Sequence, residues 1–308
     1  MRRRKELTNE ELKILDKRIS EEEALEVFFK DCNLRNLRPA TIAYYKNEFH
    51  GAKKIINKQL VAWDQKDIED LILKSKELMK VTTINTRLRA LRSFYNFLYK
   101  RKLIDKNPMA KIKLLRDRQK AIETLDNKEI EDLIKTVRKG KTFVNFRDEV
   151  ILLVFLDTGI RLSELVGINV EDVLGNKIMI RKTKNLFERV VYLSEITQEQ
   201  LEKYIKIRGD LPTKKLFISQ DNKALNYHSI QTRFTKYGKE AKVSKRVSPH
   251  TFRHTMAKRM IVSGVDAFSL MHLLGHTDIT VTKRYVNLWG QDIERKHQLH
   301  GALRGLKI

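Results

Sequence analysis

The chain has 308 residues, 63 of them Lys or Arg and 39 Asp or Glu, which leaves a formal charge of +24 at pH 7 alongside 41% hydrophobic residues. That apolar share excludes a wholly disordered chain, and the length corresponds to about two domains. The longest apolar run, residues 150–156, is too short to span a bilayer, and the lone Cys32 allows neither an internal disulfide nor a paired-thiol metal site, as suits a reducing cytoplasm.

The first residues, MRRRKELTNEEL, are basic but lead into alternating charges with no apolar segment, so no secretory signal is expected. Residues 19–32 follow with three glutamates suited to a helix N-terminus and with Ala24, Leu25, Val27, Phe28 and Phe29 on one stripe. Pro39 opens a second helix to about residue 58, where Ile42, Tyr45, Phe49, Ala52 and Ile55 keep helical spacing. A third helix is predicted over 67–79 and a fourth over 83–102. In the fourth, Leu88, Leu91, Phe94 and Leu98 alternate with Arg87, Arg89 and Arg92. No strand pattern competes, so residues 1–110 are predicted to form a mainly α helical bundle.

Charge is concentrated in one stretch. Residues 1–70 carry 15 basic against 14 acidic side chains, residues 71–120 carry 15 against 3, and the remaining 188 carry 33 against 22. A solvated face or flexible basic linker would look the same, but Lys and Arg clustered on helices also form the electrostatic footprint of a nucleic-acid binder. Arg87, Arg89, Arg92, Lys111 and Lys113 are the candidate phosphate contacts, and Arg87, Arg89 or Asn85 are candidates for reaching base edges. Pro108 and the basic run at 111–120 mark a linker over 111–122.

The second unit, 123–308, is predicted to be α+β and mostly helical with one small antiparallel sheet. Asp126 with Glu129 three residues on reads as a capping box. A buried helix over 143–158 and a short helix after Gly159 follow, then strand-like runs at 177–182 and 188–193 joined by a turn at 183–187. Helices return at 197–208, 227–241, 248–263 and 267–274. Residues 293–308 space Ile293, His297, Leu299, Leu303 and Leu306 as a short amphipathic helix and tail, which must dock elsewhere to be stable.

Three local patterns stand in this unit. Thr158-Gly159-Ile160-Arg161-Leu162-Ser163-Glu164-Leu165 puts an arginine after a glycine turn, with a glutamate one helical turn later. His250-Thr251-Phe252-Arg253-His254 sets a histidine and an arginine on one helix face, and Leu273-Leu274-Gly275-His276 precedes Tyr285 by nine residues. Each alone is ambiguous: an Arg with Glu at i,i+3 is usually a surface pair, and one histidine is usually structural. In this order they resemble the tyrosine recombinase (phage integrase) family, whose catalytic half carries an arginine in TGxRxxEL, a lysine in a β-hairpin, HxxRH, LGH and then a tyrosine. The positions that correspond are Arg161, Lys184, His250, Arg253, His276 and Tyr285. The hairpin lysine is open between Lys184, reached by counting back from Glu188-Arg189, and Lys182. The first half resembles the family's SAM-like core-binding domain in pattern only.

The resemblance implies a site-specific recombinase that cleaves and rejoins DNA through a 3′-phosphotyrosyl bond and a Holliday junction. Arg161 and Arg253 would face the non-bridging phosphate oxygens, which gather charge in the pentavalent transition state. Tyr285 would attack with His250 as general base, Lys184 would protonate the departing 5′ oxygen, and His276 would hydrogen-bond a phosphate oxygen. Glu164 would orient Arg161 or His250. No cofactor, metal or ATP is expected: no DxD, HExxH or cysteine cluster is present, and Gly140-Lys141-Thr142 only mimics the end of a P-loop, since Lys135 occupies the position of its first glycine. The implied partners are a specific double-stranded core site, a homotetramer on two duplexes (monomer possible without DNA) with the tail donated to a neighbour, and an accessory directionality protein. No membrane is implied, and the location would be cytoplasmic and nucleoid-associated. The short lead before the first helix suggests a simple, Xer-like subclass. The alternatives are a repressor on the same scaffold that no longer cuts and a type IB topoisomerase-like enzyme.

Overall fold

The computed structural model describes residues 19–117, 121–181 and 188–289, which divide into one unit within residues 1–120 and a second within 121–308. Twelve α-helices and one three-stranded sheet lie among the described residues. No helix among them is long and apolar enough to cross a membrane.

The first unit is helical. Helix α1, Glu21–Leu34, starts at Ser20, whose hydroxyl accepts from the Glu23 N–H at 3.1 Å, and its three leading glutamates face the positive end of the helix dipole. Helix α2 runs Pro39–Ile55 with proline in its first turn. Helix α3, Gln65–Leu78, begins two residues earlier than its periodicity suggests, because Asp64 and Asp67 form a capping box. Helix α4 spans Val81–Lys100 and gives Leu88, Leu91, Phe94 and Leu98 to the core, all fully buried. Phe28 sits at the centre of that core, with the rings of Phe29, Tyr45, Phe49, Phe94 and Phe97 at 5.2–5.8 Å, within the range of favourable aromatic packing.

The segment after α4 is part of this unit through residue 115. Met109 is buried, and Ile112, Leu114 and Leu115 pack on the core. Asn85, a candidate base reader in the sequence, is buried instead. Its amide donates to the Leu115 carbonyl at 2.9 Å and its carbonyl accepts the Leu115 N–H at 2.8 Å, pinning this segment to α4. With donor and acceptor both satisfied by backbone, Asn85 has a structural role.

In the second unit, α5 (Asn127–Arg138) carries the expected Asp126–Glu129 capping box. Helix α6 (Phe143–Thr158) buries an apolar stretch from Val150 to Phe155 together with Arg147, Asp148 and Glu149, and packs against α5, α8 (Glu195–Arg208) and α10 (Pro249–Val262). The one-turn α7 (Leu162–Leu165) follows. The antiparallel sheet has the order β1 (Val173–Leu174), β2 (Lys177–Ile180), β3 (Arg189–Tyr192), with Ile178 opposite Val191 and Ile180 opposite Arg189. β1 is an addition to the sequence reading, since two residues are too few to show alternation. Helices α9 (Tyr227–Glu240), α11 (Ala267–Leu274) and α12 (Ile279–Trp289) complete the unit.

Helix α12 is also an addition. Its first residues, Ile279-Thr280-Val281-Thr282, are β-branched and favour strand locally. They are helical because Asp278 caps the Thr280 N–H at 2.8 Å, and because the residues that pack inward, Thr282, Tyr285, Val286 and Trp289, recur at helical spacing.

Candidate active site

The site forms where four chain segments meet at the ends of α6, α10 and α11. Gly159 closes α6 in the left-handed conformation, φ +60°. A side chain there would also meet Leu274 and Met256 at 3.0 and 3.1 Å, so the backbone conformation favours glycine and the tight packing adds to it. The turn delivers Arg161 to the N-cap of α7.

Glu164 lies at the centre and is buried, only 2% exposed. Its Oε2 accepts the Arg161 N–H at 2.8 Å and its Oε1 accepts from Arg161 Nη1 at 2.9 Å. It also receives both guanidinium nitrogens of Arg189, Nη1 at 3.0 Å and Nη2 at 2.8 Å. Burial alone would raise the Glu164 pKa, but the hydrogen bonds and charges of Arg189 and Arg161 outweigh it and hold the carboxylate ionised. The partner expected from sequence was Arg161 or His250. The structure selects Arg161 and adds Arg189, which sequence reasoning passed over. Arg189 shares the inward register of β3 with Val191, and a charge on the apolar phase of a strand is the signal that it must be paired.

Arg189 also donates from Nε to the Leu273 carbonyl at 3.2 Å. It lies over Gly275, where a Cβ would come within 2.8 Å of Nη1 and where φ is +63°. This explains the Leu-Gly-His triplet: Leu274 is buried, Gly275 makes the left-handed turn beneath Arg189, and His276 is thrown into the site.

Arg253 is 5% exposed and held by three acceptors: the Gly159 carbonyl at 2.7 Å, the Leu274 carbonyl at 2.8 Å and His276 Nε2 at 2.8 Å. Burial, then the neighbouring Arg161, lowers its pKa to about 10, which leaves it charged at neutral pH. A guanidinium can only donate, so His276 Nε2 is the acceptor, and Nδ1 carries the proton toward Thr282 Oγ1 at 2.8 Å. His276 is thus a neutral imidazole of fixed tautomer. Burial first, then Arg253, Arg161 and Arg189, push its pKa down to about 4.

Tyr285 is 5% exposed. Its ring stacks near-parallel on Trp289 at 5.6 Å and on His276 at 6.3 Å. Its hydroxyl is 2.8 Å from Nδ1 of His254. This departs from the sequence reading, which paired Tyr285 with His250 and gave His254 a structural role. His250 is exposed in the first turn of α10, whereas Tyr285 of α12 meets α10 one turn further along, at His254. Both histidines share a helix face, so spacing alone does not separate them. Burial, followed by the charges of His250, Arg253 and Arg284, lowers the His254 pKa to about 4. Burial also raises the Tyr285 phenol above its ordinary value against the opposing charges of Arg253, Arg284 and Arg161.

Because His254 and His276 have folded pKa values of about 4 against 6.5 for the free side chain, the unfolded chain binds more protons between those values. This contribution to stability is complete above pH 6.5 and is lost as pH falls toward 4. The catalytic unit is expected to melt lower at pH 5 than at pH 7, and His276→Gln should flatten that slope; thermal melts at the two pH values check it.

The hairpin lysines, Lys184 and Lys182, and the tail from Ile293 lie outside the described residues. Of the expected phosphate contacts, Arg89, Lys111 and Lys113 are exposed. Arg87 departs from expectation: it is largely buried, donates to Glu48 at 3.2 Å and packs over Gly51, so its charge is neutralised within the unit. Arg92 donates to the Ile112 carbonyl at 2.7 Å and holds the segment after α4 rather than projecting freely.

The model of the phage integrase family matches residues 123–291, and that of its SAM-like N-terminal domain matches residues 26–102. The chain belongs to the phage integrase family. It is 32% identical over 262 residues to the tyrosine recombinase XerC of Vibrio atlanticus, covering 82% of this chain and 84% of the relative. It is 27% identical over 280 residues to the XerC of Lactobacillus delbrueckii subsp. bulgaricus, covering 87% and 95%. The phage integrase family member described here is therefore an enzyme, a tyrosine site-specific recombinase of the Xer-like subclass. Solved structures share its fold. The Tn1549 transposon integrase in complex with transposon right-end DNA has a TM-score of 0.74 at 19% identity, covering 90% of this chain and 99% of that one. A lambda integrase tetramer bound to a Holliday junction has a TM-score of 0.72 at 16% identity, covering 88% and 78%.

Proposed function

We propose that this chain cleaves and rejoins double-stranded DNA at a specific core site through a 3′-phosphotyrosyl intermediate on Tyr285, by way of a Holliday junction and without metal or ATP. The observation that carries the reading is the convergence of Arg161, Arg253, His276 and Tyr285 from distant segments of the chain. Two guanidiniums held by backbone carbonyls and by Glu164 are preorganised donors for a phosphodiester, whose charge they would meet without a bound cation. The phosphotyrosyl bond conserves the energy of the broken phosphodiester, so a second 5′-hydroxyl can displace the tyrosine and no nucleotide is consumed. Lys184 of the hairpin is the proposed proton donor to the leaving 5′ oxygen. Arg89, Lys111 and Lys113 are the proposed phosphate contacts of the first unit, and a tetramer on two duplexes, its tails exchanged head to tail, is the proposed assembly.

The test uses the full chain and a pool of nicked duplexes with a randomised core. A covalent protein–DNA complex should survive denaturation, and Tyr285→Phe should form none. Mixing two of the selected duplexes, intact, should then yield a branched product. No covalent complex at any salt concentration would refute the reading. A complex that only relaxes supercoils would point to the topoisomerase alternative.

A further inference from the structure

We propose that His254 is a catalytic residue, the group that takes the proton from the Tyr285 hydroxyl as it attacks and returns it when the DNA is rejoined. The inference rests on the reading of Tyr285 as the nucleophile. Its ground is geometric: His254 Nδ1 lies 2.8 Å from the Tyr285 oxygen, within reach for direct transfer, and the two rings are 5.6 Å apart. Tyr285 is 5% exposed, and the rings of Trp289 and His276 lie near-parallel to it. His254 stands on the second turn of α10 between the buried Arg253 and Thr255, and it is kept neutral; with its proton on Nε2, Nδ1 has a lone pair to accept the phenolic proton. His250, one turn earlier, is exposed.

The proton balance is closed. The phenolic O–H bond breaks as an N–H bond forms at His254 Nδ1, and the tyrosine oxygen bonds to phosphorus. The P–O5′ bond breaks, and the 5′ oxygen takes a proton from the proposed hairpin lysine or from water. In rejoining, the imidazolium gives its proton back to the departing phenolate. The charged and titratable groups that face His254 are His250 and Arg253 on its own helix and Arg284 and Tyr285 on α12. An anionic phosphodiester held by Arg161 and Arg253 would offset the cations that depress this imidazole and strengthen it as a base when substrate is present.

The experiment measures single-turnover formation of the covalent complex on the duplex selected by the wild-type chain, across pH. His254→Asn keeps an acceptor near the Nδ1 position but cannot hold a proton. It is expected to cleave ~10²–10⁴-fold more slowly at neutral pH, with a rate that climbs throughout the range instead of levelling. His250→Asn should keep the levelling whatever its rate. A wild-type rate and profile for His254→Asn, or loss of levelling in His250→Asn alone, would overturn the proposal. Independently of cleavage, nitrogen resonances of the full chain should show His254 Nδ1 unprotonated and shifted by Tyr285→Phe; no shift would overturn it too. A wild-type chain that forms no covalent complex would instead refute the function itself.

Discussion

Glu164→Ala is expected to destabilise the catalytic unit by about 3–5 kcal/mol, because it leaves Arg189 as an uncompensated buried cation. The Arg189 side chain is 6% exposed and that of Glu164 is fully buried, so neither gains water when the other is removed. Arg161 has 22% of its side chain exposed and can rehydrate, so the loss is traced to Arg189. The chain has two tryptophans, Trp63 in the first unit and Trp289 in the second, and a Trp63→Phe background makes fluorescence report on the catalytic unit alone. Urea unfolding in that background measures the loss. The double variant Glu164→Ala/Arg189→Met should recover most of it, since two charges are then removed together. A single variant within 1 kcal/mol of the parent, on the ~1.4 kcal/mol-per-decade scale of an unfolding constant, would show that the pair does not hold the site.

Arg253→Lys is expected to slow covalent complex formation by ~10²–10³-fold, about 2.7–4 kcal/mol of transition-state stabilisation, with little change in DNA affinity. The charge is retained, but an ammonium cannot reproduce a planar fork that reaches the Gly159 carbonyl at 2.7 Å, the Leu274 carbonyl at 2.8 Å and His276 Nε2 at 2.8 Å. The same change frees His276 Nε2, so the fixed tautomer is lost together with the fork. Single-turnover rates on the selected duplex, set beside filter-binding affinity, check this. A rate within a few fold of wild type would mean that charge alone, and not the bidentate geometry, is what the site needs.

Much of the architecture is legible in short-range sequence patterns. Helix α4 follows from Leu88, Leu91, Phe94 and Leu98, and α5 from the Asp126–Glu129 box, because periodicity and capping act within a few residues. Where the reading fell short, local preference was overruled. The β-branched start of α12 is helical only because Thr282, Tyr285 and Trp289 pack inward, and Asn85 looked like a surface reader until Leu115 folded back on it. Arg87 was counted with the basic surface because Glu48, its partner, lies 39 residues away.

By itself, the sequence determined the inventory: the concentration of positive charge between residues 71 and 120, the helical frames, and the order in which Arg161, Arg253, His276 and Tyr285 occur. These are properties of composition and short-range spacing. The tertiary structure decided which groups meet. Arg161 reaches the Gly275 carbonyl across 114 residues of chain, Arg189 closes on Glu164 across 25, and the choice of His254 over His250 is made by the point at which Tyr285 of α12 meets α10. Two histidines four residues apart present the same face to any local analysis. Only the packing of a second helix, through Thr282, Tyr285 and Trp289, assigns the phenol to one of them.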